Sequence, residues 1–325
     1  MIRSSVCSAS ACASLFAGMV LSLSTVSAAA QTQVPAAPAP TLAAAPVFPK
    51  PDPANFTATV PTKETVNEFL HASWGYDEDR IWQVQAVLKT EVEGVTKVIV
   101  LVGDKSGKEK PQALEFFAMP DGKHIIAGDQ IVAFGAHPYD DIRAKVQKDA
   151  VGPYRGGATR ELELVEFADF QCPHCKDAQA NMDKLAADYP QAHIVFEADP
   201  IPSIHPQAVL AASYGYCVAK QAGSTAFFQF ASAVFDGQDG LATADGAQLT
   251  LNSAIAKAGA DAAKVSACAA TPEAKNAVEA SRKLAGELGI NQVPTLIVNG
   301  RSVPANAPYE TLKKIVDFQI KLDAK

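Results

Sequence analysis

The chain has 325 residues, more than one ordinary domain needs, so two compact units plus non-globular segments are expected. Its formal net charge is −7, its acidic groups are spread along the sequence and no dense Lys/Arg run occurs, which argues against a phosphate-binding face and against nucleic acid as a partner.

Residues 1–30 start with a single early Arg3, pass through an apolar run from Leu15 to Val26 and end in small residues from Ser27 to Ala30. That order predicts a cleaved secretory signal, and the run is short of the roughly 20 apolar residues of a membrane span. Cys7 and Cys12 fall inside it, do not fit a lipoprotein cleavage pattern and would be discarded with it. The mature chain then keeps Cys172, Cys175, Cys217 and Cys268, an even number suited to an oxidising compartment. Residues 31–58 are rich in Ala and Pro (Pro35, Pro38, Pro40, Pro46, Pro49, Pro51, Pro53), a composition that favours extended chain and predicts a tether.

A small α+β domain is expected over residues 59–150. Val66, Phe69 and Leu70 have helical spacing; Trp82, Val84, Ala86 and Leu88 alternate; Val98 to Val102 is β-branched and apolar. Leu114–Met119 and His124–Ile126 face each other across the turn sequence Pro120-Asp121-Gly122, and Asp140–Val146 forms a short connecting helix. Gly152 to Gly157 then breaks regular structure, placing a domain boundary near residue 150. In the second domain, residues 151–325, Glu161–Phe167 predicts a strand and Cys172–Asp188 a helix with Ala178, Met182, Leu185 and Ala186 inward. His193–Phe196 continues the sheet, Ala-rich helices fill about 204–287, and Thr295–Asn299 and a helix from Tyr309 to Lys321 close the domain. The fold class is therefore α/β with an inserted helical subdomain.

The chemistry concentrates at Cys172-Pro173-His174-Cys175, a Cys-x-x-Cys pair that opens a helix just after a strand. Unpaired backbone N–H groups and the positive end of the helix dipole stabilise a thiolate at the first sulfur. Cys172 is thus expected to be the exposed attacking sulfur, and Cys175, one turn into the helix, the buried one that resolves a mixed disulfide. Pro173 costs no needed donor in the first turn. His174 is expected to add positive charge or a donor beside the Cys172 thiolate. A zinc site would need a second two-ligand cluster at finger spacing, and none occurs, so neither metal nor cofactor is expected. His71, His124, His137, His193 and His205 share no ligand spacing and are assigned no chemistry, and Asp169, in a loop, is expected to be solvated. Phe227, Phe228 and Phe230 have the spacing of core residues as much as of a groove.

The segment from Val165 to Cys175, Val-Glu-Phe-Ala-Asp-Phe-Gln-Cys-Pro-His-Cys, closely resembles the active-site segment of DsbA-like thiol:disulfide oxidoreductases of the thioredoxin superfamily. That resemblance implies a thioredoxin-like fold over roughly 152–325. It implies that Glu166, six positions before the first cysteine, lies under the redox pair and relays protons for Cys175; a strand-end carboxylate facing water is the alternative. Val293-Pro294-Thr295 resembles the cis-proline loop, which would set Val293 backbone groups opposite Cys172 for pairing with a substrate strand. Some DsbA-like proteins carry a second disulfide in the helical insertion, and by that resemblance Cys217 and Cys268 are expected to pair, two free thiols being the alternative. Asp121 to Gly128 resembles the end of the amino-terminal domain of the DsbC and DsbG isomerases, a domain that makes their dimer.

Three functions follow. The resemblance and Val293 before the proline favour an exported oxidase acting on reduced or unfolded exported proteins and reoxidised by a membrane quinone-linked partner. The additional domain favours a dimeric isomerase or reductase kept reduced by a membrane electron donor. A redox-independent chaperone or binding module is the reading from another class.

Overall fold

The computed structural model describes residues 48–108 and 110–324. The expected signal segment, with Cys7 and Cys12, and the tether as far as residue 47 lie outside the described residues.

The first element is α1 (Lys63–Trp74), opened by Thr62, whose hydroxyl accepts from the Thr65 amide, with Glu64 in its first turn. Both features satisfy or complement the free amides of a helix start. Val66 and Leu70 turn inward onto a five-stranded antiparallel sheet, β1 (Arg80–Lys89), β2 (Thr96–Asp104), β3 (Gln112–Ala118), β4 (His124–Ala127) and β5 (Gln130–Ala133), joined in chain order. The alternation expected from Trp82 to Leu88 breaks at a bulge: Val84 pairs with Val100 but Ala86 with Ile99, so one extra residue shifts the inward face and Val87 becomes buried. The last residues of the stretch read as a tether lie against β1. Phe56 bridges Val87, the Ala58 amide donates to the Val87 carbonyl at 3.1 Å, and the Thr57 hydroxyl accepts from the Lys89 amide.

The second sheet has the order β10-β9-β7-β8-β6, built from β6 (Tyr154–Gly156), β7 (Glu163–Ala168), β8 (His193–Ala198), β9 (Thr295–Val298) and β10 (Arg301–Pro304). Only β7 and β8 run parallel. β7 and β9 are buried along their whole length, β7 with Glu163 and Glu166 among its buried residues. Leu164, Ile194 and Leu296 meet α3 (Pro173–Asp188) and α8 (Tyr309–Asp323) on one face. Val165, Phe167, Val195 and Ile297 meet α2 (Asp140–Asp149) and α7 (Pro272–Glu287) on the other. The connecting helix α2 therefore belongs to the second core, since Val146 and Ala150 pack there.

Between β8 and β9 the chain forms α4 (Ala208–Asp236), α5 (Ala244–Lys257), α6 (Ala262–Ala269) and then α7, the helical insertion. α4 turns at Gly223, whose φ of 84° and ψ of 177° only glycine adopts without strain. Cys217 on α4 and Cys268 on α6 are joined by a disulfide with Cα atoms 5.9 Å apart. Arg301 on β10 is 4% exposed and donates to the carbonyls of Ala72 and Ser73, the free C-terminal acceptors of α1, and to Gln319. Its guanidinium also lies 4.3 Å from the Tyr139 ring, so one cation fastens the first helix to the second sheet. The whole is a thioredoxin-like α/β arrangement with a helical insertion, preceded by an α+β unit. Among the described residues no helix is long and apolar enough to cross a membrane.

Candidate active site at the start of α3

β7 ends at Ala168, and four residues later Cys172 stands as the N-cap of α3 with Pro173 at its first position. The turn is held by its own backbone: the Cys172 amide donates to the Asp169 carbonyl at 3.1 Å, and the Cys175 and Lys176 amides to the Cys172 carbonyl. Gln238, from the insertion, donates one amide group to the carbonyls of both Phe170 and Cys172, at 2.9 and 3.0 Å. Phe170 stacks on Phe196 with ring centroids 5.3 Å apart and touches Phe227, Phe230 and Phe235. The active turn is thus the tip of the aromatic core shared by sheet and insertion. Phe227 and Phe230 belong to that core, whereas Phe228 lies partly exposed beneath Arg155.

Both thiols are free, Cys175 is fully buried and Cys172 is 7% exposed. Cys172 is more enclosed than a helix-start sulfur was expected to be, because Val293 and the aromatic core close over it. Its sulfur lies 3.9 Å from the Val293 carbonyl, and the Val293–Pro294 peptide is cis. The Cys172 thiol is lowered to about 6, chiefly by a hydrogen bond from the Cys175 thiol; burial opposes this, and the amides of Cys175 and His174 assist. Burial first, and then the neighbouring Cys172, push Cys175 far up. One sulfur is set up to be a thiolate and the other to hold its proton.

The His174 side chain is 71% exposed with its Nδ1 3.9 Å from Asp177, and it is the His174 backbone amide that donates toward the Cys172 sulfur. Helix geometry explains this, since the second helical residue projects outward while its N–H points at the cap.

Glu166 is 2% exposed, not turned to water, and its Oε1 accepts from Gln179 on α3 at 2.7 Å. Gln179 also donates to the Cys175 backbone carbonyl, so one side chain joins the carboxyl to the backbone of the buried cysteine. Burial raises the Glu166 carboxyl to about 7, against a smaller opposing effect of the Gln179 bond. The folded form therefore keeps a proton that the unfolded form loses near pH 4, and stability from this group is full below that pH and declines as pH rises toward 7. Over that window the loss is on the order of 3 kcal/mol. Glu166→Gln should flatten the decline in unfolding free energy between pH 4 and 7; an unchanged slope would contradict a buried, protonated Glu166.

Asp169 also departs from expectation. It is fully buried, accepting from the Gln171 amide at 2.7 Å, the Ile201 amide at 2.8 Å and His205 Nδ1 at 2.8 Å. Its own amide donates to the Cys175 sulfur at 3.3 Å. No local pattern in the sequence joins Asp169 to His205 across 36 positions.

A protein-family model described as thioredoxin matches residues 149–318. A Na(+)/H(+) antiporter, NhaA 3 of Salinispora tropica, is 33% identical over 91 residues, 28% of this chain and 14% of the antiporter; the chain thus spans a small part of that relative's length. The crystal structure of a periplasmic thioredoxin-like protein from Salmonella enterica serovar Typhimurium is 22% identical, covering 57% of this chain and 98% of that one with a TM-score of 0.45. That of the thiol-disulfide exchange protein alpha-DsbA2 from Wolbachia pipientis is 20% identical, covering 55% and 95%, with a TM-score of 0.47.

Proposed function

The chain belongs to the thioredoxin family, and we propose that it is an exported, periplasmic protein thiol:disulfide oxidoreductase that passes a Cys172–Cys175 disulfide to cysteine pairs of reduced or unfolded exported proteins. The observation that carries this reading is the division of proton affinity within one helical turn, with Cys172 lowered to about 6 and Cys175 raised.

In the oxidative cycle a substrate thiolate attacks the Cys172 sulfur, the Cys172–Cys175 bond breaks, and Cys175 leaves and takes up a proton. Glu166, which holds a proton up to about pH 7 and shares Gln179 with Cys175, is the nearby acid for that step. The substrate is now joined to Cys172. Its second thiolate attacks the substrate sulfur of the mixed disulfide, forming the substrate disulfide and expelling Cys172 as a thiolate. The substrate has lost two electrons and its thiol protons; the cysteine pair has gained the electrons and Cys175 one proton. A low thiol pKa makes Cys172 a good leaving group and stabilises the reduced pair, which makes the disulfide more oxidising. A membrane quinone-linked partner would take the electrons back. The Val293 carbonyl, beside the Cys172 sulfur, is the acceptor a substrate strand would pair with.

The five-stranded sheet ahead of the redox sheet favours a second reading, an isomerase or reductase that works as a homodimer and is kept reduced by a membrane donor. Acid-quenching cells, alkylating free thiols and reading Cys172 and Cys175 by peptide mass spectrometry separates the two. A mainly oxidised pair is expected; a mainly reduced one would favour the isomerase, and failure of Cys175→Ser to trap any substrate would favour a redox-independent binding module.

A further inference from the structure

Asp169 and His205 form a buried pair directly behind the redox turn. The Asp169 carboxylate is wholly buried, while the His205 side chain keeps 16% of its surface open. Because a carboxylate only accepts, His205 Nδ1 carries the proton between them. Asp169 is tied to both cysteines at once: its carbonyl accepts from the Cys172 amide and its amide donates to the Cys175 sulfur. Its negative charge works against a thiolate at Cys172, and it raises Asp199 as well. Arg282 opposes the rise at Asp199, and Glu166 adds to the rise at Cys175.

A buried carboxylate at this place would by itself oppose the chemistry assigned to Cys172. His205 is the side chain whose donated proton meets it, at 2.8 Å and in a setting of low dielectric where charge–charge effects are strong. We infer that His205 is a positioning residue for the redox reaction: by holding and neutralising Asp169 it keeps the Cys172 thiolate stable, and so sets how oxidising the Cys172–Cys175 disulfide is. The inference rests on the reading of Cys172 as the attacking thiolate. It also gives the pair a second function, since Asp169 joins the Ile201 amide to the redox turn and His205 anchors the start of the insertion at the same point.

The test is the Cys172 thiolate absorbance of the full reduced chain, followed against pH, in the unsubstituted protein and in His205→Gln and His205→Lys. Gln offers a donor and can carry no charge; Lys offers a donor that is charged. The titration midpoint is expected to rise by about one pH unit in His205→Gln, a tenfold gain in proton affinity at the sulfur, and to fall back toward the starting value in His205→Lys. The disulfide of His205→Gln should be correspondingly easier to form, by about tenfold against glutathione. A midpoint that does not move in His205→Gln, or that rises equally in both variants, overturns the inference. Should either variant fail to fold, the unsubstituted protein still decides it: the NMR titration of the His205 ring must show an inflection at the Cys172 midpoint, as reciprocal coupling requires, and its absence is the contrary result. Failure of the underlying function is distinguishable, because then the unsubstituted protein itself would titrate near 8.5, as an ordinary thiol does.

Discussion

Cys172→Ala should abolish disulfide transfer to a reduced substrate, lowering the rate by at least about 10³-fold, the low end of what deletion of a covalent nucleophile does. The reasons are geometric and electrostatic together. Cys172 is the sulfur at the helix cap, held by two amides and lowered to about 6, while Cys175 is fully buried and its thiol is pushed up. A substrate can reach only the first. Cys175→Ser should behave differently: once Cys172 is activated as a mixed disulfide a substrate thiolate can still join to it, but no Cys175 thiol remains to release the adduct, so substrates whose second thiol cannot reach the mixed disulfide accumulate as covalent adducts on Cys172. Stopped-flow substrate oxidation and non-reducing gels read the two phenotypes. Were the adducts to form on Cys175 in Cys172→Ala instead, the assignment of attacking and resolving sulfurs would be reversed.

The replacement of Cys217 and Cys268 by Ala together should destabilise the chain by about 4 kcal/mol, the chain-entropy value for a closed loop of this size. The bridge spans 51 positions and pins α4 to α6 inside the core that also contains Phe170 and Cys172. The insertion is not a passive addition, because its Gln238 holds the carbonyls on either side of the redox turn. Urea unfolding measured with intact and with removed bridge gives the difference directly, and exchange activity should fall near the lowered midpoint as the turn loses its support. A loss of less than about 1 kcal/mol would mean that the insertion is held by packing alone.

Much of this site could be read along the chain because its parts are contiguous. The strand, the turn, Cys172 to Cys175 and the helix follow one another within residues 163–188, and local periodicity is enough to place them. Pro294 was legible through the resemblance of Val293-Pro294-Thr295, ahead of a short strand, to the cis-proline loop. What could not be read depends on contacts made at long range. Asp169 occupies a loop, and loops are ordinarily on the surface; it is buried because the segment around Ile201 and His205 folds over it. Gln238 lies 66 positions from the carbonyl it supports. β6 and β10, three and four residues long, and β5 on the edge of the first sheet carry too few residues for an alternation to show, and β6 lies within a glycine-rich stretch that reads as irregular. His174 shows the converse limit: its place in the motif was plain, but only the helix geometry decides that its amide and not its ring faces the sulfur.

The most direct test of the central claim is the reduction potential of the Cys172–Cys175 pair, measured by equilibration with glutathione at pH 7. The oxidase reading predicts a potential less negative than about −200 mV, on the oxidising side of the glutaredoxin range. A value at or below about −270 mV, that of a reducing thioredoxin, would contradict an oxidase.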